Sequence, residues 1–328
     1  MIASDVLSVN HKDSTTVFPL IDTHTHFDAP MFDDDRVQQA SLAYRKGVRD
    51  LLLVGYLHQH FSRLYDTQQQ LNSLRKMNTV IDGHKETLLP NIYIALGLHP
   101  FYIEQHTDAH LEAMAQMLNA NRPLAIGEIG LDTFTDTMKQ PEMMAKQQRF
   151  FVAQLDMAVA HQLPVMLHIR KAHAEALALL KAHDYDACKL GGIAHSFSGG
   201  IQEAKAFVKM GFKLGVTGQI TNPNAKKLRL AIQAAVDSYG IECLVIETDC
   251  PDMTPIMCQK SGNGQSALGQ SSDNEWGDAP SYNRNVPANL PYILTSLSEL
   301  LDIPANILAE QLWHNSCNAL QTKWSYPL

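Results

Sequence analysis

The sequence lacks the features that mark secreted, membrane-embedded or disulfide-stapled proteins. Its 328 residues include five cysteines, an odd number without a CxxC pair, so no disulfide framework is indicated. The first 17 residues are polar and have no apolar signal core, and no apolar run approaches the ~20 residues of a membrane span. We therefore expect a reduced cytoplasmic protein without a membrane partner, in which residues 1–17 form a flexible extension.

Positive charge and the common nucleotide motifs are also scarce. The 26 basic and 34 acidic residues give a net charge of −8, which argues against broad electrostatic capture of nucleic acid. A local phosphate site is still possible, because two bound divalent ions would add about +4. The chain has no Walker loop, no GxGxxG fingerprint and no G-x-S-x-G elbow, so those mechanisms have no motif to support them.

The chain does have a regular alternation of short apolar runs with longer helical patterns. Strands are predicted near Val17–Asp22, Val48–Val54, Ile92–Ala95, Leu124–Gly127, Val165–His168, Gly192–His195, Phe212–Gly215 and Leu244–Glu247. Helices are predicted near Asp34–Lys46, Gln59–Val80, Asp108–Asn119, Pro141–His161, Ala172–His183, Ile201–Lys209, Asn224–Val236, Ala288–Leu301 and Pro304–Lys323. Eight such α/β units predict a single-domain (β/α)8 TIM barrel over residues 18–328. Gln259–Pro280, rich in Gly, Ser, Gln and Asn, is expected to be a long loop over the catalytic face.

Six side chains of metal-binding type lie at the ends of these apolar runs. Four imidazoles and two carboxylates suit one or two divalent transition metals. Because barrel strands end at one face, their order predicts a single metal site at the carboxyl ends of the strands. The six residues are His24, His26, Glu128, His168, His195 and Asp249.

The pair His24 and His26 carries weight only together with the other four residues. Residues two apart on a strand point the same way, so this pair can bind one ion. With 15 histidines in the chain, about 0.7 H-x-H pairs are expected by chance. His58 and His60 form a second pair, but at the start of a predicted helix, where such residues do not share a face.

Distinct roles are expected for the remaining four ligands. Glu128 follows a buried strand, where a carboxylate is costly unless it is paired or bound to metal, so we expect it to bridge two ions. His168 and His195 are expected to bind the second ion. Asp249 is expected to bind the first ion and to act as the general base. The alternatives are a helix-cap or salt-bridge role for Glu128 and a turn-capping role for Asp249.

Four further residues are expected around the ligands. Glu247 and Asp132 are expected to orient histidines, although Asp132 suits a plain turn equally well. His99, in GLHP, and Arg170 are expected to contact substrate. The alternatives are a packed turn histidine and a surface arginine.

In their order along the chain, these motifs resemble the TatD family of metal-dependent hydrolases and deoxyribonucleases. The shared segments run from residue 21 to about 318 and are DTHTHFD, GLHP, AIGEIGLD, QLDMA, LPVMLHIRKA, HSFSG, ETDCPDM and RNVP. The resemblance implies a metal-dependent TIM barrel with phosphoesterase or DNase-type activity. It also implies a first ion on His24, His26 and Asp249, a second on His168 and His195, and Glu128 between them.

Some positions depart from the family pattern. Lys171 stands where the family commonly has an acidic residue, and Thr133-Phe134 follows GLD where aromatic residues are common. The Gln259–Pro280 loop is longer than is usual in the family. These features resemble a less characterised branch, so the substrate is left open by the resemblance.

The leading hypothesis is a phosphodiesterase that acts on DNA ends, exonuclease-like, with a water activated by two ions. The ions could be Zn, Mn, Mg, Ni or Co. One alternative is an amidohydrolase-type enzyme that cleaves an amide, a lactone or a small phosphoester. Another is a non-catalytic protein that binds metal or nucleic acid. The expected partner is DNA or a small phosphoester, with no protein partner and a monomeric or weakly oligomeric state.

Overall fold

The computed structural model describes residues 16–78, 88–183, 185–259 and 283–327. The strands are β1 Leu20–Thr25, β2 Val48–Val54, β3 Asn91–Leu96, β4 Ala125–Asp132, β5 Val165–Arg170, β6 Ile193–His195, β7 Lys213–Val216 and β8 Leu244–Ile246. The α-helices are α1 Arg36–Arg45, α2 Phe61–Asn78, α3 Asp108–Ala120, α4 Pro141–His161, α5 His173–His183, α6 Ala187–Leu190, α7 Ile201–Lys209, α8 Lys226–Tyr239, α9 Leu290–Leu301 and α10 Ala305–Ala319. No helix among these described segments is long and apolar enough to cross a membrane.

The eight strands form one parallel sheet in the order of the sequence, from β1 to β8. Individual hydrogen bonds between β1 and the segment after β8 bring the two edges together. Asp249 N donates to His24 O at 2.9 Å, and His26 N donates to Cys250 O at 2.8 Å. These bonds nearly close the barrel, so the predicted single TIM-barrel fold is confirmed.

The strands separate two apolar layers because successive side chains point to opposite faces. On β2, Leu51 and Leu53 belong to the large cluster that includes the apolar faces of the helices. Leu52 and Val54 belong to a second cluster with Ala95, Met166, Ile193 and Val245, all from other strands. This alternation fills the barrel interior with aliphatic side chains below the mouth, and polar residues gather at the carboxyl ends of the strands.

Several element boundaries differ from those predicted. β1, β4 and β5 run two to five residues further than expected, because polar residues at the mouth continue the strand pairing after the apolar run has ended. His24, Glu128 and His168 therefore lie within strands rather than after them. The short helix α6 was not predicted. Most of the predicted 1–17 extension, nearly all of the Gln259–Pro280 loop and residues 79–80 of the predicted second helix lie outside the described residues.

Candidate metal centre

The six predicted ligands converge at the carboxyl ends of the strands. His24 and Glu128 are buried within β1 and β4, and His195 is buried at the last position of β6. Ligand atoms lie within 4.8 Å of one another in three groups: His24, His26 and Glu128; His24, His195 and Asp249; and His99, Glu128 and His168. His58 and His60 occupy a 3-10 turn before α2 and belong to none of these groups within the described residues.

Glu128 lies at the centre of the cluster. Its Oε2 lies 3.3 Å from His24 Nε2 and 3.5 Å from His26 Nε2, and it accepts no hydrogen bond within the described residues. Its Oε1 lies 2.7 Å from His168 Nδ1 and 3.5 Å from His195 Nε2. Each carboxylate oxygen thus faces two of the predicted histidine ligands, which is the arrangement expected of a residue between two cations.

Three histidines are held through the ring nitrogen that points away from the centre. His26 Nδ1 lies 3.0 Å from the Val54 carbonyl oxygen, which can only accept, so this nitrogen carries the proton. His195 Nδ1 lies 2.9 Å from Glu247 Oε1, and His168 Nε2 lies 3.0 Å from Asp132 Oδ2. In the neutral rings, a proton on the outer nitrogen leaves a lone pair that points inward, as in metal ligands.

His99 has the opposite arrangement. Its Nδ1 accepts a hydrogen bond from the backbone N–H of Phe101 at 2.9 Å, so the proton of the neutral ring is on Nε2. This Nε2 faces Glu128 Oε1 at 3.2 Å and His168 Nδ1 at 3.1 Å. Burial lowers the pKa of His99 to about 4, so the ring is neutral at pH 7. Although His99 falls within a ligand-distance group, it presents a hydrogen-bond donor to the centre rather than a lone pair.

Asp249 closes the cluster from the segment after β8. Its Oδ1 lies 3.7 Å from His24 Nε2, and its Oδ2 lies 3.6 Å from His195 Nε2. Its backbone has a φ of +53°, an uncommon conformation for Asp, which the bond from its N–H to His24 O helps to hold. Burial raises the pKa of Asp249 to about 7, which suits a group that takes up a proton near neutral pH.

Two carboxylates, Glu247 and Asp132, contact the histidines on the side away from the centre. Glu247 accepts hydrogen bonds from Ser196 N at 2.6 Å and from Thr23 Oγ1 at 3.1 Å, in addition to its contact with His195. A Cβ on Gly215 would lie 2.4 Å from Glu247 Oε1, so only glycine leaves room for this carboxylate. Asp132 contacts His168 with Oδ2 and accepts a hydrogen bond from Phe134 N with Oδ1.

The electrostatics of the cluster fit a bound cation. Burial alone would lower the pKa of His168 and of His195, but the surrounding carboxylates raise these values to about 9 and about 10. Burial would raise the pKa of Glu128, yet the neighbouring histidines hold it well below its usual range. The carboxylates thus attract positive charge strongly enough to outweigh burial. Divalent ions would supply that charge, and four imidazoles with two carboxylates are suitable donors.

Arg170 lies outside this cluster. It ends β5, two residues beyond His168, and its guanidinium carbon stacks 3.4 Å from the centre of the Phe134 ring. The geometry therefore places it at the edge of the mouth, not among the ligands.

Two buried glutamines on α4 position the strand ends and were not predicted. Gln147 accepts a hydrogen bond from Asp132 N and donates one to Asp132 O. Gln154 accepts a hydrogen bond from Leu98 N at 2.7 Å, directly before His99. Their spacing of seven residues places both on one face of the helix. The sequence could have indicated this role, because the two glutamines lie on the same helix face as Phe150, which is buried in the core.

Comparisons with known proteins agree with this geometry. The TatD-related DNase family matches residues 21–321. The metal-dependent hydrolase YjjV of Escherichia coli K12 is 36% identical over 71% of this chain and 80% of its own length. The 3'-5' ssDNA/RNA exonuclease TatD of Salmonella typhimurium LT2 is 28% identical over 85% of this chain and 90% of its own length.

Solved structures show the same similarity. The crystal structure of YjjV from Escherichia coli K12 has a TM-score of 0.70 and 31% identity, covering 93% of this chain and 98% of YjjV. A TatD family hydrolase from Entamoeba histolytica shares the fold, with a TM-score of 0.72 and 20% identity over 93% of this chain and 99% of its own. The chain belongs to the TatD family of metal-dependent hydrolases.

Proposed function

We propose that this protein is a phosphodiesterase that removes nucleotides from the ends of single-stranded DNA and uses two divalent ions to do so. The observation that carries the proposal is the environment of Glu128. Both of its oxygens are buried, and each faces two of the predicted histidine ligands. A carboxylate in this position can bridge two cations.

The proposed ligand set follows the contacts around each oxygen of Glu128. His24, His26 and Asp249 would hold the first ion, and His168 and His195 the second. His195 lies 3.5 Å from Glu128 Oε1, but it also stacks on His24 with ring centroids 3.4 Å apart. We assign it to the second ion because its Nε2 faces the same carboxylate oxygen as His168 Nδ1. Four imidazoles favour Zn, Mn, Ni or Co over Mg.

Each remaining residue has a chemical task in this proposal. The bound ions would lower the pKa of a water molecule and offset the charge that develops on the phosphoryl oxygens. Asp249 would accept the proton of that water, because its carboxylate lies beside the predicted ligands of the first ion, with Oδ1 3.7 Å from His24 Nε2. His99 Nε2–H would donate a hydrogen bond to a phosphate oxygen or to the leaving oxygen. Glu247 and Asp132 would keep His195 and His168 in their binding orientations.

The proposed substrate class rests on similarity. The relative from Salmonella typhimurium is named a 3'-5' exonuclease for single-stranded DNA and RNA. At 28% identity this supports phosphodiester chemistry at a strand end and leaves open the preference between DNA and RNA. The cytoplasmic location and the monomeric or weakly oligomeric state stay predictions from the sequence.

A matrix of metals and substrates tests the proposal. Purified protein is stripped of metal, reloaded with Mg, Mn, Zn or Co, and assayed on single-stranded DNA, RNA, an aryl phosphodiester and a small amide. Asp249→Asn is the inactive variant, and Asp136→Asn, which changes an exposed carboxylate, is its matched control. We expect metal-dependent cleavage of the phosphodiesters and a loss of about 100-fold or more in Asp249→Asn. Cleavage of the amide alone would support the amidohydrolase alternative instead.

A further inference from the structure

Two cations near the metal centre lie over the same aromatic ring. The Arg170 guanidinium carbon is 3.4 Å from the centre of the Phe134 ring, and Lys171 Nζ is 4.6 Å from it. Within the described part of the chain, neither forms an ion pair with a carboxylate. The acidic neighbour that senses Lys171, Asp136, is already paired with Lys139 at 2.7 Å.

Backbone hydrogen bonds fix this group to the metal centre. Thr133 N donates to Arg170 O at 3.0 Å, and Thr133 Oγ1 donates to Lys171 O at 2.9 Å. Phe134 N donates to Asp132 Oδ1, and the other oxygen of the same carboxylate contacts His168 Nε2. The backbone of Phe134 is therefore held by the residue that contacts a predicted metal ligand, and the backbones of Arg170 and Lys171 are held by the adjacent Thr133.

The position along β5 sets the distance to the centre. Arg170 lies two residues beyond His168 on the same strand, and a parallel strand rises about 3.3 Å per residue. The backbone of Arg170 thus stands roughly 6.6 Å further out, at the rim of the mouth. An anion there would be adjacent to one held at the metal centre without overlapping it.

Arg170 and Lys171 carry like charges over one ring, and neither has a carboxylate partner among the described residues. An aromatic ring attracts a cation, but it does not cancel the repulsion between two of them. An anion that contacts both cations would cancel this repulsion. The planar guanidinium of Arg170 matches the geometry of a phosphate, and the Lys171 ammonium adds a point charge.

We propose that Arg170 and Lys171, supported by Phe134, form a subsite for a second phosphate adjacent to the one that is cleaved. The inference rests on the proposed phosphodiesterase function and narrows its substrate class. The enzyme would favour substrates with two neighbouring phosphates over isolated phosphodiesters. The second phosphate is either an internucleotide phosphate or a terminal phosphomonoester. Lys171, where the family commonly has an acid, gives the subsite its added charge.

The main test compares Lys171→Gln with Lys189→Gln, a matched loss of charge at an exposed lysine on α6. The substrates are an aryl phosphodiester with one phosphate, TpTpT with two internucleotide phosphates, and pTpT with a terminal phosphate. We expect Lys171→Gln to raise KM about five- to tenfold for TpTpT, for pTpT or for both. We expect KM to change less than twofold for the aryl phosphodiester in Lys171→Gln, and for every substrate in Lys189→Gln. Which of the two oligonucleotides responds identifies the second phosphate.

Salt dependence provides a second readout. Loss of one phosphate contact should reduce the slope of log KM against log salt by about one for the responsive oligonucleotide. Equal changes in KM for one-phosphate and two-phosphate substrates, or no change in any of them, would overturn the subsite.

Binding separates failure of the subsite from failure of the proposed function. The affinity of metal-free protein for pTpT and TpTpT is measured by calorimetry with wild type, Lys171→Gln and Lys189→Gln. Weaker binding only in Lys171→Gln supports the subsite even if wild type cleaves nothing, in which case the proposed function alone fails. Equal binding by all three proteins, or no binding by wild type, contradicts the subsite.

Discussion

At the residue scale, the position of one proton separates His99 from the other histidines of the centre. The outer nitrogens of His26, His168 and His195 face acceptors, so in the neutral rings the inner nitrogens present lone pairs to the centre. His99 receives a backbone N–H on its outer nitrogen and directs its own N–H inward. Distance alone would count His99 among the ligands, whereas its hydrogen-bond partner makes it a donor that points toward the centre.

Substitution of His99 and His26 should therefore have different consequences. We expect His99→Ala to bind the same number of ions per chain as wild type and to lose about 100-fold in kcat, because a donor to the phosphate is removed. His26→Ala should lose an ion as well as activity. Native mass spectrometry counts the ions, and steady-state assays give kcat. Loss of an ion in His99→Ala would show that His99 is a ligand.

Asp50, far from the mouth, gives a pH-dependent contribution to stability. It is buried on β2, where Asn91 Nδ2 donates to Oδ1 at 2.7 Å, and burial raises its pKa from 3.8 to about 6. Between pH 4 and 6 the folded chain retains a proton that the unfolded chain has lost, so stability falls as pH rises. Well above pH 6 the cost is complete, about 3 kcal/mol.

Removal of the Asp50 charge should abolish this cost. For Asp50→Asn, we expect the free energy of unfolding relative to wild type to be about 2 kcal/mol higher at pH 7.5 than at pH 4.5. Urea denaturation at the two pH values measures the difference, and the exposed Asp66→Asn is the control. If the difference in free energy of unfolding between Asp50→Asn and wild type is the same at both pH values, the Asp50 carboxyl titrates normally.

Much of the site at this scale was predictable from residue types and their order. The six ligands, Glu247 and Asp132 all lie where strand periodicity and the shared carboxyl edge place them. The proton positions were not predictable, because they depend on partners such as Val54 O and Phe101 N that are remote in sequence or belong to the backbone. The stacking of Arg170 on Phe134 was missed for the same reason.

At the element scale, α4 positions two strand ends through buried side chains. Gln147 pairs with both backbone groups of Asp132, and Gln154 pairs with Leu98 N. Buried backbone groups at strand ends need such partners, because an unpaired one costs about 1–3 kcal/mol. The helix thus supports the segments that carry Asp132 and His99.

A substitution on this helix tests its role. We expect Gln147→Leu to lower the free energy of unfolding by about 2–4 kcal/mol, because Asp132 N and O both lose their partner. Gln148→Leu, at the neighbouring and less buried position, should change it by less than about 0.5 kcal/mol. Chemical denaturation measures both variants. Equal stability of the two would show that Gln147 is not needed to satisfy the backbone of β4.

The elements themselves were predicted well where hydrophobic periodicity is strong and less well at strand ends. Pro141–His161 and Ile201–Lys209 have the predicted bounds. β4 extends five residues beyond its predicted end, since Gly130 permits the close approach to β5 there. Its φ is +145°, and a Cβ would lie 2.1 Å from His168 O. Periodicity carries no information about such a contact between strands.

At the scale of the whole molecule, barrel closure brings the first and last ligands together. His24 and Asp249 are 225 residues apart in sequence, yet the backbone N–H of Asp249 donates to the carbonyl of His24. The alternation of strands and helices predicted this closure, and with it a single site. It could not predict how His195 is shared between its two neighbours, Glu128 and His24, because that depends on packing in the closed barrel.

The central claim is that these ligands hold two ions that together cleave a phosphodiester. One titration tests it most directly: metal-free protein receives Mn²⁺ in steps, and bound ions and cleavage of single-stranded DNA are measured in the same samples. We predict no cleavage without metal, and an activity that rises as the second ion per chain binds and is then constant. Two ions bound without cleavage would contradict the account, as would full activity with one ion or none.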